Sequence, residues 1–250
     1  MKKKILLLIP ARMGSSRFPG KPLAKIRNKT PMIEYIYNNI KNSKIIDHCF
    51  VATCDKEISE HMSSINGNFI MTSKKHKRAT ERCSEALKKL EKKLKSKFDI
   101  ITMLQGDEPL ISLKMIEKGI MPLLKNKNLL VTNLISKIND RKEFSDKNCI
   151  KVVFNKKCDA LMFSRNQIPS KKITKNYGYK QVCSISFKRN FLIKYLKMKE
   201  TALERSESID MLRILENGYN VRLVEVRGKI QSVDTKEDLL KVNKILNNFK

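Results

Sequence analysis

Residues 5–9 form an unbroken apolar run, the pattern of a strand covered on both faces. Beyond it the period changes. From Pro31, a residue suited to the first helical turn, Ile33, Ile36, Tyr37 and Ile40 recur on one side and predict a helix. A strand over 49–53, a polar helix, a short strand over 69–71 and a long helix over 80–95 follow. Residues 99–104 read as another apolar strand that ends in "QGDEP". Strands alternating with helices imply a mostly parallel sheet covered by helices, with ligands at the carboxyl ends of the strands. The loop after the first strand and "QGDEP" therefore belong to one rim.

After a helix near 113–124 the alternation is lost. Short strands are expected around 130–135, 149–154, 160–164 and 179–187, a pattern that points to a smaller, partly antiparallel lobe. Helical spacing returns over 188–195 and 203–216, and a strand near 221–226 and a helix over 236–247 close the chain. At 250 residues, one α/β domain carrying an excursion at about 129–200 is the expected organisation.

Charge changes this picture little. The formal net charge is +28, but 41 lysines against 12 arginines lie scattered along the chain, whereas nucleic-acid footprints cluster and lean on arginine. The dense run over 88–97 has Leu87, Leu90 and Leu94 at helical spacing and reads as a solvated helix face. No specific nucleic-acid partner is expected, although the positive field suits an anionic small substrate. Lys2, Lys3 and Lys4 before an apolar run imitate a secretory leader. The run is too short, Pro10 and Arg12 interrupt it, and no small-residue cleavage site follows. No stretch approaches the ~18 apolar residues of a membrane span, so no membrane insertion is expected. The six cysteines contain no C-x-x-C pair and the three histidines have no zinc-site spacing, which suggests reduced thiols in a cytoplasmic protein.

The loop after the first strand carries the first candidate chemistry. Gly14, Ser15, Ser16 and Gly20 allow backbone N–H groups close to a phosphate, and Arg12, Arg17 and Lys21 supply charge to neutralise it. The spacing matches neither G-x-x-x-x-G-K-[ST] nor G-x-G-x-x-G, and a basic surface turn is the plain alternative. Asp107 ends an apolar strand before Pro109, where its carboxylate points out of the rim or serves a turn. Asp234 stands between a short strand and a helix, where it is either a ligand or a helix N-cap, with Thr235 competing for the cap.

"IPARMGSSRFPGKPL" resembles the nucleotide-binding signature of the 3-deoxy-manno-octulosonate (Kdo) cytidylyltransferases. The likeness continues in order through "ATERCSEAL" (79–87), "QGDEPLI" (105–111), "FSRNQIP" (163–169), "LENGY" (215–219) and "VDTKEDL" (233–239). The resemblance implies a Rossmann-like nucleotidyltransferase fold and transfer of CMP from CTP to the anomeric hydroxyl of a 2-keto-3-deoxy sugar acid. It further implies Mg²⁺ held by Asp107 and Asp234, a homodimer formed through the smaller lobe, and a place in bacterial lipopolysaccharide or surface polysaccharide synthesis. On this likeness the catalytic set is Arg12, Lys21, Asp107 and Asp234. The nucleotide contacts are Ala11, Arg12, Gly14, Ser15, Arg17, Lys21, Thr80, Arg82 and Gln105. The sugar-acid contacts are Gln105, Arg165, Gln181, Glu204 and Glu207, with Arg165 taken for the substrate carboxylate because a guanidinium fork matches it. Glu204 and Glu207 alternatively flank a helix, and Arg82 alternatively lies on a helix surface.

The likeness departs at three positions. Gln181 and Ile185 stand where the family commonly has a histidine and a tyrosine, and Met211 stands where it has a glutamine. Replacing polar groups on the sugar side alters preference, which leaves amino-deoxy Kdo variants and sialic-type acids as alternative acceptors. A basic nucleic-acid-binding protein and a catalytically dead nucleotide-binding regulator are the readings outside this enzyme class.

Overall fold

The computed structural model describes residues 2–76, 78–170 and 177–248. The chain divides into two compact units, residues 1–117 with 229–250, and residues 118–228. The second unit contains the whole 129–200 segment expected as a lobe. It also takes in the last turns of the preceding helix and the chain up to 228.

In the first unit the elements run β1 (Ile5–Ala11), β2 (Lys25–Ile26), β3 (Thr30–Pro31), α1 (Met32–Ile40), β4 (His48–Thr53), α2 (Lys56–Ser64), β5 (Phe69–Met71), α3 (Ala79–Lys93) and β6 (Ile100–Leu104). They are followed by α4 (Leu113–Lys125), which contains the unit boundary, and the C-terminal helix (Lys236–Asn247) returns to this unit. β1 pairs in parallel with β4 on one side and β6 on the other, and β4 pairs in parallel with β5. All seven residues of β1 are buried, as a strand between two others and covered on both faces requires. The chain winds outward from β1 through β4 to β5, then returns to the other side of β1 as β6. That reversal is the topological switch point, where the carboxyl ends of neighbouring strands splay apart and leave a crevice. The loops after β1 and β6, singled out in the sequence, flank it.

The run of lysines on α3 lies on the solvent side, with Lys88, Lys89, Lys92 and Lys93 exposed while Leu87 and Leu90 are buried. It is an ordinary amphipathic face.

The second unit continues with β7 (Val131–Ile138), α5 (Arg141–Ser145), β8 (Lys151–Phe154), β9 (Ala160–Ser164), β10 (Gly178–Lys188), α6 (Arg189–Lys197), α7 (Ala202–Glu207), α8 (Asp210–Glu216) and β11 (Arg222–Glu225), before α9, the C-terminal helix already described. β10 runs antiparallel to β7 and to β8, and β9 antiparallel to β8. β11 is parallel to β7, so the lobe is mixed. Two expectations change here. Residues 203–216 form two helices, because Ser208 takes a left-handed conformation (φ 53°) that interrupts the hydrogen-bond ladder. The short helix α5, with Asp140 capping it through the Lys142 amide, has too few residues to show a periodic signal.

Candidate active site

The loop after β1 is organised around one peptide unit. The carbonyl of Met13 accepts from the amides of Ser15 (2.9 Å) and Gly20 (3.0 Å), which closes residues 13–20 into a compact turn. Gly20 has φ 74°, where a side chain would be strained, and Phe18 is the buried apolar residue of the turn. Residues 21–23 then form a single 3₁₀ turn that sends Lys21 inward, leaving it only 9% exposed.

Lys21 meets both acidic residues of the expected catalytic set. Its Nζ lies 2.6 Å from Asp107 Oδ2 and 3.6 Å from Asp234 Oδ1. Asp234 Oδ1 is also 2.8 Å from Arg17 Nη2. The two aspartates thus converge although they are distant in sequence. A backbone bond from Val233 N to Asp107 O, 2.9 Å, ties their segments together. Gly106 lets the "QGD" turn lie close against the end of β1, since a Cβ there would stand 3.1 Å from the Pro10 carbonyl. Asp234 is not the cap of the C-terminal helix. Thr235 is, accepting from the Asp238 amide at 3.2 Å, and the Asp238 carboxylate in turn accepts from the Asp234 and Thr235 amides.

A cavity of about 350 Å³ opens at this rim, walled by the β1 loop, the start of α3, the "QGD" turn and Asp234. Its size is that of a small-molecule site. Five basic side chains, Arg12, Arg17, Lys21, Arg78 and Arg82, share the wall with two acidic ones, which suits a polyanion of higher charge than a single phosphate. Ala11, Arg12, Ser15, Arg17, Lys21, Arg82, Gln105, Asp107 and Asp234, all expected from sequence, lie on this wall. Gly14 and Thr80 do not. Gly14 is exposed with open space beside it, and Thr80 is buried in the first turn of α3. Arg82 is not a surface helix residue. It is 3% exposed, and its Nη1 donates to Thr72 Oγ1 at 2.6 Å.

Of the ionisable residues on the wall, two fall outside the expected set, His76 and Arg78. They lie in the turn before α3, outside any periodic pattern. His76 Nε2 is 2.5 Å from Glu85 Oε2, and the same carboxylate receives the Ser73 amide and Lys89 Nζ. Burial opposes ionisation of Glu85, but these bonds from Lys89, Ser73 and His76 outweigh it and hold the carboxyl at about 2.

The expected sugar-side residues all lie in the second unit except Gln105. Arg165 Nε donates to Glu207 O (2.7 Å) and Nη1 to Lys147 O (3.0 Å), so two of its nitrogens already serve the protein's own backbone. Glu207 accepts from Ser164 Oγ and the Arg165 amide, both at 2.8 Å, and so braces Arg165. Gln181 is partly exposed and donates to Asn133 Oδ1 at 2.6 Å. Glu204 requires a correction. It is fully buried, with both carboxylate oxygens 2.6 Å from the Arg213 guanidinium, and has no surface to offer a ligand. Met211 and Ile185 are likewise core residues, 0% and 8% exposed. Of the three departures from the family pattern, only Gln181 reaches the surface.

Among the described residues no cluster of three His, Cys, Asp or Glu side chains is placed to hold a metal, and no helix is long and apolar enough to cross a membrane. The two converging aspartates offer hard oxygen donors of the kind that hold Mg²⁺ together with substrate phosphates and water, so the donor set fits that ion. All six cysteines are free thiols; burial pushes Cys49 to about 12.

The chain matches known proteins over nearly its whole length. The family profile described as cytidylyltransferase matches residues 6–229. A 3-deoxy-manno-octulosonate cytidylyltransferase of Thermodesulfovibrio yellowstonii is 40% identical, with 98% of each chain covered. One from Fusobacterium nucleatum is 40% identical over 96% of this chain and 95% of its own. A solved CMP:2-keto-3-deoxy-manno-octonic acid synthetase, complexed with CTP, superposes with a TM-score of 0.89 at 33% identity, covering 99% of this chain and 100% of that one. A 4-diphosphocytidyl-2C-methyl-D-erythritol synthase from Anaerococcus prevotii, 16% identical with a TM-score of 0.66 over 99% of this chain and 100% of its own, shares the fold. With these matches spanning nearly the whole chain, the protein belongs to the cytidylyltransferase family, among the 3-deoxy-manno-octulosonate cytidylyltransferases.

Proposed function

We propose that the protein transfers CMP from CTP to the anomeric hydroxyl of 3-deoxy-manno-octulosonate or a close 2-keto-3-deoxy sugar acid. The observation that carries this reading is the convergence of Lys21, Asp107 and Asp234 at the rim of a cavity lined by four further cations. In the reaction the anomeric oxygen forms a bond to the α-phosphorus, the bond from that phosphorus to the bridging oxygen breaks, pyrophosphate leaves and the hydroxyl proton passes to solvent.

Each wall residue has a task. Arg12, Arg17 and Lys21 stabilise the negative charge that moves onto the departing pyrophosphate, and Arg78 adds a fourth cation. Arg82, held by Thr72, and Gln105 orient the nucleotide. Asp107 and Asp234 would hold Mg²⁺, which supplies Lewis-acid stabilisation of the phosphate oxygens when bound. Arg165, oriented by Glu207, and Gln181 read the sugar acid. The same reading includes a homodimer, a cytoplasmic location, and supply of an activated sugar to lipopolysaccharide or surface polysaccharide assembly.

The test is pyrophosphate release with CTP, Mg²⁺ and a panel containing Kdo, its amino-deoxy variant and a sialic-type acid. Turnover with Kdo or its variant supports the acceptor class; CTP binding without turnover on any of them overturns it. Because Gln181 alone among the departing positions is partly exposed, preference within the panel reads that residue. A salt titration against DNA and RNA separates the non-enzyme reading: binding that persists at physiological salt favours it, while weak binding that falls steeply with salt is the electrostatic default for this charge.

A further inference from the structure

Asp55 stands directly before α2, in the extended conformation of an N-cap residue (φ −106°, ψ 131°), yet its carboxylate makes no cap bond to that helix. A cap aspartate ordinarily accepts from the second or third helical amide and stabilises its own helix by ~1 kcal/mol. Here Oδ2 points elsewhere. It accepts the backbone N–H of Met13, 42 residues earlier, at 2.7 Å. The Asp55 amide meanwhile donates to Thr53 Oγ1 (3.1 Å) at the end of β4, which fixes the direction of the side chain from the strand next to β1.

Met13 is the peptide around which the β1 loop closes, because its carbonyl receives Ser15 N and Gly20 N. Its amide and carbonyl are therefore gripped from opposite ends, by Asp55 and by the loop itself. Ser15, Ser16 and Arg17 hang on this turn, and all three line the cavity, as do Arg12 just before it and Lys21 just after. Asp55 itself is not on the cavity wall. A carboxylate on the side of a loop that takes a polyanion works against binding through charge repulsion, whereas its hydrogen bond to Met13 works for it by ordering the loop. We propose that Asp55 is a positioning residue for the nucleotide loop, pre-ordering the turn over 13–20 through the Met13 amide so that CTP binds without first organising it. The proposal rests on the reading that this loop binds CTP.

The hydrogen bond and the charge make opposite predictions, and two substitutions separate them. Asp55→Asn keeps an oxygen that accepts from Met13 and removes the negative charge; Asp55→Ala removes both. By calorimetry the Ala variant should bind CTP at least 10-fold more weakly, whereas the Asn variant should bind within 2-fold of the parent or more tightly. In steady state the Ala variant should show a raised KM for CTP, with kcat at saturating CTP within about 3-fold and KM for the sugar acid unchanged, because an interaction that orders the free loop is lost mainly as binding. Amide hydrogen exchange of the peptide containing residues 13–20 should accelerate in the Ala variant and not in the Asn variant.

If Asp55 served only α2, both variants would lower Tm and leave CTP affinity within 2-fold, with exchange faster in α2 and unchanged over 13–20; that result overturns the proposal. Equal weakening by Asn and Ala also overturns it, since the hydrogen bond would not be the cause. Failure of the parent protein to bind CTP at all instead overturns the reading of the loop on which the proposal depends.

Discussion

The Val233 amide donates to the Asp107 carbonyl at 2.9 Å, joining the "QGD" turn after β6 to the residue preceding Asp234. Main-chain atoms thus set the separation of the two aspartates before their side chains choose any partner. Lys21 Nζ then bridges them, close to one and farther from the other. The pair is held by backbone geometry and matched by the Lys21 ammonium, with Arg17 a second cation on Asp234 at 2.8 Å.

Lys21→Met should therefore reduce turnover by ~10²-fold or more, the cost of removing one preorganised charge from a transition state of this kind. Pyrophosphate release at saturating substrates measures it. Because Lys21 and Asp107 are in direct contact at 2.6 Å, their effects should be coupled, and the double variant with Asp107→Asn should cost less than the sum of the two single variants. Full additivity would show that the two act separately.

The Glu204–Arg213 pair predicts a different outcome, on stability. Arg213→Met leaves a fully buried carboxylate without its guanidinium and should destabilise the protein by ~3–5 kcal/mol in a urea titration. KM for the sugar acid in the surviving folded fraction should not change, since Glu204 faces no ligand. A selective rise in that KM would restore Glu204 as a contact.

Lys151 predicts a similar loss in the second unit. It is fully buried, and its Nζ donates to the carbonyls of Asp146 (2.7 Å), Cys149 (2.7 Å) and Arg165 (2.6 Å). Burial lowers its pKa, while the nearby Cys149 and Asp146 act in the opposite sense. Lys151→Met takes the ammonium donor from three carbonyls, of which Asp146 O keeps the Cys149 amide at 3.2 Å, and should lower the urea midpoint by an amount corresponding to ~1–3 kcal/mol for each group left unsatisfied. Since one of them belongs to Arg165, KM for the sugar acid should also rise in the folded fraction.

Acid titration reads Glu85. Its carboxyl titrates at about 2 in the folded protein against an ordinary 4.5, so the unfolded chain binds the proton first as pH falls. Its contribution to stability is complete above pH 4.5 and is lost as pH drops toward 2. Glu85→Gln should thus flatten the fall of Tm over that window and lower Tm at pH 7. An unchanged slope would mean the His76 and Lys89 contacts do not persist in solution.

Much of the fold was legible because its signals are local. The apolar run over 5–9, the short strand at Phe69–Met71 and the helix over Lys236–Asn247 declare themselves through burial period and flanking residues, and the structure has them there. Thr235 against Asp234 as the cap could not be resolved locally, since either residue type serves; the position of Asp238 decided it. The break at Ser208 escaped because both flanking segments keep helical spacing across it.

Apart from the β2–β3 pair, α5 and the break at Ser208, the amino-acid pattern alone sufficed for the order of strands and helices, the parallel character of the first sheet and the loops at its rim, because periodicity and glycine placement act over a few residues. Which side chains meet was a matter of the folded chain: that Lys21 joins Asp107 to Asp234, that Asp55 leaves its own helix for Met13, and that Glu204 is buried against Arg213. Contacts between positions far apart in sequence depend on strand order and crossover, which bring remote segments together without leaving a local trace.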